Sequence, residues 1–545
     1  MKEKIRALIK KEGLDALLIA RADSFLGEHY PPESDTLYRA TGFSGSAGTA
    51  LITKDDAVLF VDSRYTEQAR IETDFTVFEV PTQTTPSDWI QKHLPDKTIG
   101  YNPWQRSVSW VNYMEGKGIN LSPVGWQVWQ SLFPIRKMKP VKAFDYDLSF
   151  CGASTASKIK KVVSVLHKHH LDAYIFTVPE SVSYLLNKRS LWVAEDPVIF
   201  QRLIVSADGS YRELPDDSSY WSGQKIGMDL DETPMGLFRK VRATATVVNL
   251  PDPVADMKAV KNKTEQENIR EACLFESTVI CRFLAWVEKN KKRIDEMACD
   301  AKLKELRAES PLYRGDSFDT IAAVGAHAAL AHYRADDKSN VPVTSAPLLL
   351  VDTGGNYLNG TTDMTRTIAV GKPTRLMKKR YTQVLKGHIA LAMTPVKNGD
   401  LPKRLDQNAR QFLQADGVNY GHSTGHGIGM YLAVHESPPF IYELSKTPLC
   451  AGMLFSNEPG FYDISAGFGI RLENMILTTE GEKGKLVLEN LLWIPFDGRL
   501  VDFKQLTEAE KAWLCAYHTE IKNRVFPHLS QKERDCLQPF LDFFC

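Results

Sequence analysis

The apolar positions near the start of the chain fall into one pattern twice. Lys4-Ile5-Arg6-Ala7-Leu8-Ile9-Lys10-Lys11 spaces its apolar residues along one helical face and leads into Leu14-Asp15-Ala16-Leu17-Leu18-Ile19. Lys158-Ile159-Lys160-Lys161-Val162-Val163 leads in the same way into Leu171-Asp172-Ala173-Tyr174-Ile175-Phe176, with three more residues before its Leu-Asp-Ala. Each copy predicts an amphipathic helix feeding a buried strand, and the echo predicts two successive α/β domains arising from a duplication. The charge cluster over 158–170 reads as a solvated helix face.

After Pro251-Asp252-Pro253 the pattern changes. Thr264-Glu265-Gln266-Glu267 reads as a capping box that opens a long helix through Trp286, with Ile269, Ala272, Cys273, Val279, Ile280, Phe283 and Leu284 on its core side. The apolar run 348–351 predicts a buried strand. Asn359-Gly360 is a two-residue hairpin signal, followed by strand-like 361–370. With those two residues at the turn, Asp352 faces Thr367 and Asn356 faces Asp363, so the aspartates share a face but stand four residues apart. That offset is roughly 13 Å at the usual strand rise, so the pattern calls for a bulge or bend at Gly354-Gly355 if both are to reach one site. A strand over 475–479 leads to Leu491-Leu492-Trp493-Ile494 and a helical tail carrying Trp513 and Tyr517.

Length and charge narrow the function classes. A chain of 545 residues is too long for one core and predicts three compact units. Its 67 basic and 67 acidic side chains argue against nucleic acid or an anionic membrane as principal partner. Eight cysteines without Cys-x-x-Cys spacing read as scattered free thiols, which implies a reducing, cytoplasmic setting. Residues 1–12 alternate charge and lack the apolar centre of a signal peptide, and no stretch approaches the roughly 20 apolar residues of a membrane span.

The chemistry lies in the last 200 residues. Asp352 and Asp363 flank the hairpin. Gly421-His422-Ser423-Thr424-Gly425-His426-Gly427-Ile428-Gly429 and His435 place three histidines in fourteen residues among glycines that admit close backbone approach. Glu458 follows in Asn457-Glu458-Pro459-Gly460 and Glu473 in Arg471-Leu472-Glu473-Asn474, where Arg471 and Glu473, two apart, would share a strand face. Asp, Asp, His, Glu, Glu is an oxygen-rich set suited to a pair of hard divalent cations, manganese before zinc or cobalt, and points to a dinuclear hydrolase. Singly, each has a plainer reading. Asp-Thr-Gly and Glu-Pro-Gly are common turns, an Arg two places from a Glu is commonly a structural ion pair, and His327 reads as a satisfied, half-buried histidine.

Together with Gly42-Phe43-Ser44-Gly45-Ser46-Ala47-Gly48-Thr49-Ala50 and Val61-Asp62-Ser63-Arg64-Tyr65, these runs resemble the pita-bread, creatinase-like metallopeptidases. Within that family the likeness is to the long, three-domain aminopeptidase P group, and it covers most of the chain. The resemblance implies an α/β (α+β) fold of two creatinase-like domains, over 1–150 and 151–256, that cover the active-site mouth. A pita-bread catalytic domain with a helical tail would follow over 257–545. It further implies a homodimer that hydrolyses the amino-terminal Xaa-Pro bond of peptides through a metal-bridged hydroxide. Carried over residue by residue, Asp352, Asp363, His426, Glu458 and Glu473 would hold two divalent metals, with Asp363 and Glu473 bridging. Glu458 would move the proton, His435 would stabilise the oxyanion, and His332 and His422 would line the proline side. Tyr462 and Arg471 would orient the ligands. Thr353 stands where the group often has serine. A prolidase would use the same ligands, a non-catalytic pita-bread binding module would typically lack some of them, and a creatinase-like amidine hydrolase has no supporting feature.

Overall fold

The structure, a computed structural model, describes residues 1–134 and 141–544. The chain forms two compact units, one from Met1–Tyr146, Ala153–Val193 and Pro197–Ala255, the other from Asp147–Gly152, Ala194–Asp196 and Asp256–Cys545.

The first unit builds the sequence echo as two related sheets. Helix α1 (Lys2–Lys11) buries Ile5, Leu8 and Ile9 and feeds β1 (Ala16–Ala20). β1 sits in a six-stranded sheet with β2 (Thr49–Thr53), β3 (Ala57–Asp62), β4 (Thr76–Val80), β5 (Thr98–Tyr101) and β6 (Asn120–Pro123), in the order β4-β3-β2-β1-β5-β6. In the second copy α2 (Thr155–Lys168) feeds β7 (Ala173–Phe176), which joins β8 (Leu203–Ser206), β9 (Tyr211–Glu213), β10 (Lys225–Met228) and β11 (Thr246–Asn249) in the order β9-β8-β7-β10-β11. In each sheet the leading strand runs antiparallel to the next strand in sequence and parallel to a later one, β5 or β10. The aspartate of each Leu-Asp-Ala does the same work. Asp15 accepts the Thr98 N–H at 2.9 Å and Asp172 the Lys225 N–H at 2.7 Å, each at the first residue of the parallel neighbour. The shared Leu-Asp-Ala is thus a strand-edge device as well as a hydrophobic echo.

Lys158 departs from the solvated face predicted for its helix. It is buried, with Nζ donating to the Tyr184 carbonyl at 2.8 Å and to Asn187 Oδ1 at 2.6 Å. Two acceptors inside the fold replace water, a pairing that charge pattern alone does not reveal.

The second unit contains α3 (Lys263–Asn290), whose cap lies two residues before the predicted one. Asn262, not Thr264, is the cap: its side chain accepts the Glu265 N–H while Glu265 accepts the Asn262 N–H. The stripe from Ile269 to Leu284 is buried as expected. Strands β12 (Ile321–Val324), β13 (Leu348–Thr353) and β16 (Met364–Ala369) form an antiparallel sheet, while β14 (Gly355–Tyr357) and β15 (Gly360–Thr361) continue the hairpin in a second sheet. A six-stranded sheet follows helix α4 (Arg375–Ala392), with helix α5 (Lys403–Gln414) after its first strand. It contains β17 (Val396–Lys397), β18 (Gly425–Gly427), β19 (Glu436–Ile441), β20 (Leu454–Asn457), β23 (Asn474–Glu480) and β24 (Lys485–Asn490), in the order β17-β24-β23-β20-β18-β19. Between β20 and β23 lies the ribbon β21 (Gly460–Asp463) with β22 (Phe468–Arg471), and the tail carries α6 (Glu508–Arg524).

The hairpin register differs from the sequence expectation. Tyr357 pairs with Gly360, so the loop is Leu358-Asn359, and Asp352 pairs with Thr365. The register runs unchanged across the break in the ladder and sets Gly354 opposite Asp363. The aspartates are therefore two residues out of step, roughly 7 Å, and need no inserted bulge residue. Asn-Gly misplaces the turn because Gly360 answers to packing: its φ is +151° and a Cβ there would lie 2.5 Å from Ile269 Cδ1 of α3.

Two further findings bear on the sequence reading. Cys273, Cys281, Cys299, Cys450 and Cys536 are free thiols, but Cys515 is disulfide-bonded, contrary to the expectation of free thiols throughout. A single bond without a short spacing motif leaves no signature in sequence. Cys545 lies outside the described residues. Among the described residues no helix is long and apolar enough to cross a membrane.

Gly354 should be the least replaceable residue of the hairpin. A Cβ there would stand 1.9 Å from the Thr362 carbonyl oxygen and 2.3 Å from Ser317 Oγ. Gly354→Ala should cost about 3 kcal/mol or more in urea unfolding; an unchanged midpoint would contradict this packing.

Candidate metal centre

Five segments of the second unit deliver the candidate ligands. Asp352 is the penultimate residue of β13, and Asp363 immediately precedes β16. His426 is the middle residue of β18, while Glu458 and Glu473 directly follow β20 and precede β23. The backbone ties these segments together: the Glu458 N–H donates to the Thr424 carbonyl at 2.9 Å and the Glu473 N–H to the Thr365 carbonyl at 3.0 Å.

The side chains converge. Asp363, His426 and Glu473, all buried, each offer a ligand atom within 4.8 Å of the others. His426 Nε2 lies 3.4 Å from both Asp363 Oδ2 and Glu458 Oε1. Its Nδ1 faces the Gly427 carbonyl at 2.8 Å, and since a carbonyl only accepts, Nδ1 carries a proton and Nε2 points at the carboxylates. Arg471 Nε donates to Asp352 Oδ2 at 3.1 Å, and Arg471 Nη2 donates to the same oxygen. Asp352 Oδ1 is buried and has no hydrogen-bond partner among the described residues. Thr365 Oγ1 donates to Glu473 Oε2 at 2.8 Å and Ser456 Oγ to Glu458 Oε1 at 3.2 Å.

Electrostatics shows what this cluster lacks. Burial pushes the Glu473 carboxyl well up, and the charges of Asp363, Glu458 and Asp352 push it further. Burial also raises Glu458, opposed by His426 and reinforced by Asp363. It raises Asp352 likewise, with Arg471 opposing and Asp363 adding to the rise. Burial pulls His426 down, but its hydrogen bond to Asp363 and the charges of Glu458 and Asp363 outweigh that and lift it to about 9. Asp352, Glu458 and Glu473 are all pushed towards their neutral forms despite Arg471 and His426, so added positive charge would favour their ionised forms. The unpartnered Asp352 oxygen and the aim of His426 Nε2 mark where cations fit.

The remaining candidates sit around this cluster. Tyr462 OH accepts from Arg471 Nη1 at 2.5 Å and lies 2.9 Å from His422 Nε2. His422 Nδ1 meets the Ser423 carbonyl at 2.7 Å, so the Tyr462 O–H donates to Nε2 of a neutral ring. His435 is exposed, its ring centroid 4.5 Å from that of His426. His332 is half-buried in a segment tied to the centre by Arg471 Nη2, which donates to the Ala331 carbonyl at 3.2 Å. His327 stacks on Tyr333 and meets Glu296 at 2.8 Å, the structural role expected of it.

One expectation is corrected. Arg471 and Glu473 share no strand, because β22 ends at Arg471 and β23 starts at Asn474. Arg471 serves Asp352 directly and reaches Glu473 through Thr365, whose Oγ1 accepts from Arg471 Nε at 3.2 Å. Sequence reasoning missed Thr365 and Ser456. Each stands two residues before or after a candidate ligand, Ser456 before Glu458 and Thr365 after Asp363, the spacing of same-face strand neighbours.

Comparison with known proteins agrees with the geometry. Metallopeptidase family M24 matches residues 267–480 and the C-terminal region of peptidase M24 matches 485–539. Two Creatinase/Prolidase N-terminal domain families match 2–128 and 134–214. A probable Xaa-Pro aminopeptidase P of Laccaria bicolor is 32% identical, over 97% of this chain and 91% of that one. Aminopeptidase P1 of Arabidopsis thaliana is 29% identical, over 96% of each. The crystal structure of X-prolyl aminopeptidase from Caenorhabditis elegans, a cytosolic enzyme with a di-nuclear active site, superposes with a TM-score of 0.92 at 26% identity, covering 100% of this chain and 98% of that one.

The repulsion within the cluster is measurable without substrate. Glu473 has a raised pKa in the folded chain, so its contribution to stability is fully present below the unfolded value and is lost as pH rises. Glu473→Gln should therefore raise the melting temperature of chelator-treated protein by about 2–4 °C at neutral pH. The gain should vanish below about pH 4, where the carboxyl is protonated in both states. A lowered melting temperature at pH 7 would contradict this electrostatic picture.

Proposed function

The chain belongs to metallopeptidase family M24, alongside the Xaa-Pro aminopeptidases P, and from that membership we propose how its own residues perform the reaction. It is a hydrolase with two creatinase-like domains followed by a pita-bread catalytic domain, and it removes the amino-terminal residue that precedes proline. In our reading the domains divide at 1–150, 151–256 and 257–545.

The observation that carries the site assignment is the gathering of Asp363, His426 and Glu473, with Glu458 beside His426 and Asp352 within electrostatic reach of Asp363. These five would hold two divalent cations, Asp363 and Glu473 serving both; manganese suits the hard donor set best. When bound, such a pair acidifies water and polarises a carbonyl. The chain does the rest. Glu458, beside His426, takes a proton from water and passes it to the leaving proline nitrogen. His435 donates to the developing oxyanion from its exposed position next to His426. His332 and His422 flank the proline ring, and Arg471 opposes the upward shift of Asp352 and holds it in place while Tyr462 steadies His422. An Xaa-Pro bond has no N–H and a locked φ, so recognition falls to such side chains. Peptides with proline second are the substrates. We place the enzyme in the cytoplasm as a homodimer.

Manganese-loaded protein should release arginine from Arg-Pro-Pro, spare Arg-Ala-Ala and lose activity to chelator. Cleavage of Arg-Pro alone would make it a prolidase, and no cleavage with two metals bound would make it a binding module. Asp363→Asn should lose metal and turnover together. His435→Ala should keep both metals and lose roughly 100–1,000-fold in kcat; normal turnover would remove His435 from the mechanism.

A further inference from the structure

The loop that presents His422 is held from behind by an ion pair on α5. Arg410 and Asp406, both buried, stand one turn apart, with Arg410 Nε donating to Asp406 Oδ1 at 2.8 Å. Arg410 spends its other donors on the histidine loop: Nη2 to the His422 carbonyl at 2.6 Å, and Nη1 to the Tyr420 carbonyl at 2.8 Å and Asn419 Oδ1 at 3.0 Å. Asp406 Oδ1 also accepts from Thr424 Oγ1 at 2.5 Å, and its other oxygen accepts the Glu443 N–H at 3.1 Å. Since Thr424 donates to Asp406, the Tyr420 O–H donates to Thr424 Oγ1, also at 2.5 Å. The guanidinium lies over the Tyr420 ring at 4.0 Å, and that ring lies 4.8 Å from the His422 ring.

One planar fork therefore fixes the backbone on both sides of Gly421 and, through Tyr420, backs the imidazole. In a glycine-flanked loop these donors set the Tyr420 and His422 carbonyls. We propose that Arg410, aligned by Asp406, is a positioning residue that sets the grip on the proline side of the substrate by fixing His422. Arg410 is directed at the backbone of the loop and acts through the histidine. The proposal rests on the reading that His422 flanks the substrate proline.

The test combines kinetics with a probe of the histidine itself. Arg410→Met should lower kcat/KM for Arg-Pro-Pro by about 10–100-fold, chiefly through KM, with two metals retained. In a His422→Ala background the same substitution should cost almost nothing, because its intermediary is gone. Arg410→Lys keeps the charge beside Asp406 but loses the fork. It should show the same coupling at smaller size, and it carries the cycle if the methionine variant does not fold. In histidine-labelled protein, the NMR signal missing from His422→Ala should shift in Arg410→Lys. Equal costs in both backgrounds, or an unmoved His422 signal, would overturn the proposal. A shifted signal in a protein that cleaves no peptide would uphold the positioning and refute the peptidase reading instead.

Discussion

Everything in the catalytic unit answers to one electrostatic difficulty, the gathering of Asp352, Asp363, Glu458 and Glu473 in a buried space. Like charges at this range repel strongly once water is excluded, and burial already disfavours the ionised forms of Asp352, Glu458 and Glu473. The chain meets this with few groups of its own. Arg471 neutralises Asp352, Thr365 and Ser456 lend hydroxyls to the two glutamates, and His426 rises to about 9 by holding a proton between Asp363 and Glu458. These contacts position the cluster without satisfying it, and the bare Asp352 oxygen is the remainder. On the proposed reading cations would complete this site, so that metal binding and local stability would be one property.

The backbone makes that gathering geometrically possible. A hairpin in continuous register, a histidine strand beside the strand that precedes Glu458, and a ribbon that turns into Glu473 bring five distant segments together. Glycine at 354 admits the Thr362 carbonyl where the ladder changes sheets, opposite Asp363. Behind the histidine loop, the Asp406–Arg410 pair supplies the rigidity that a glycine-rich segment lacks. The amino-terminal unit repeats a simpler economy. One aspartate in each Leu-Asp-Ala closes the start of a parallel strand.

Much of this was legible in the sequence. Residue type and order singled out five candidate ligands, three of which the structure gathers within 4.8 Å, and helical and strand periodicity located both helix-to-strand joints and the buried stripe of α3. The errors have a common physical source. Asn359-Gly360 placed the turn one residue late because Gly360 is demanded by Ile269 on a distant helix. Arg471 was paired with its sequence neighbour, whereas its partner Asp352 lies 119 positions away. Lys158 was assigned to solvent because its acceptors, the Tyr184 carbonyl and Asn187, come from the next helix. The Cys515 bond, like the roles of Arg410 and Asp406, depends on tertiary proximity that no local pattern encodes.

The most direct test of the central claim is calorimetric titration of manganese into chelator-treated protein, run in two buffers of different protonation enthalpy. If cations replace the protons that keep the cluster together, two equivalents bind per chain with net proton release, and the observed heats differ between buffers. Binding of fewer than two equivalents, or heats independent of the buffer, would contradict it.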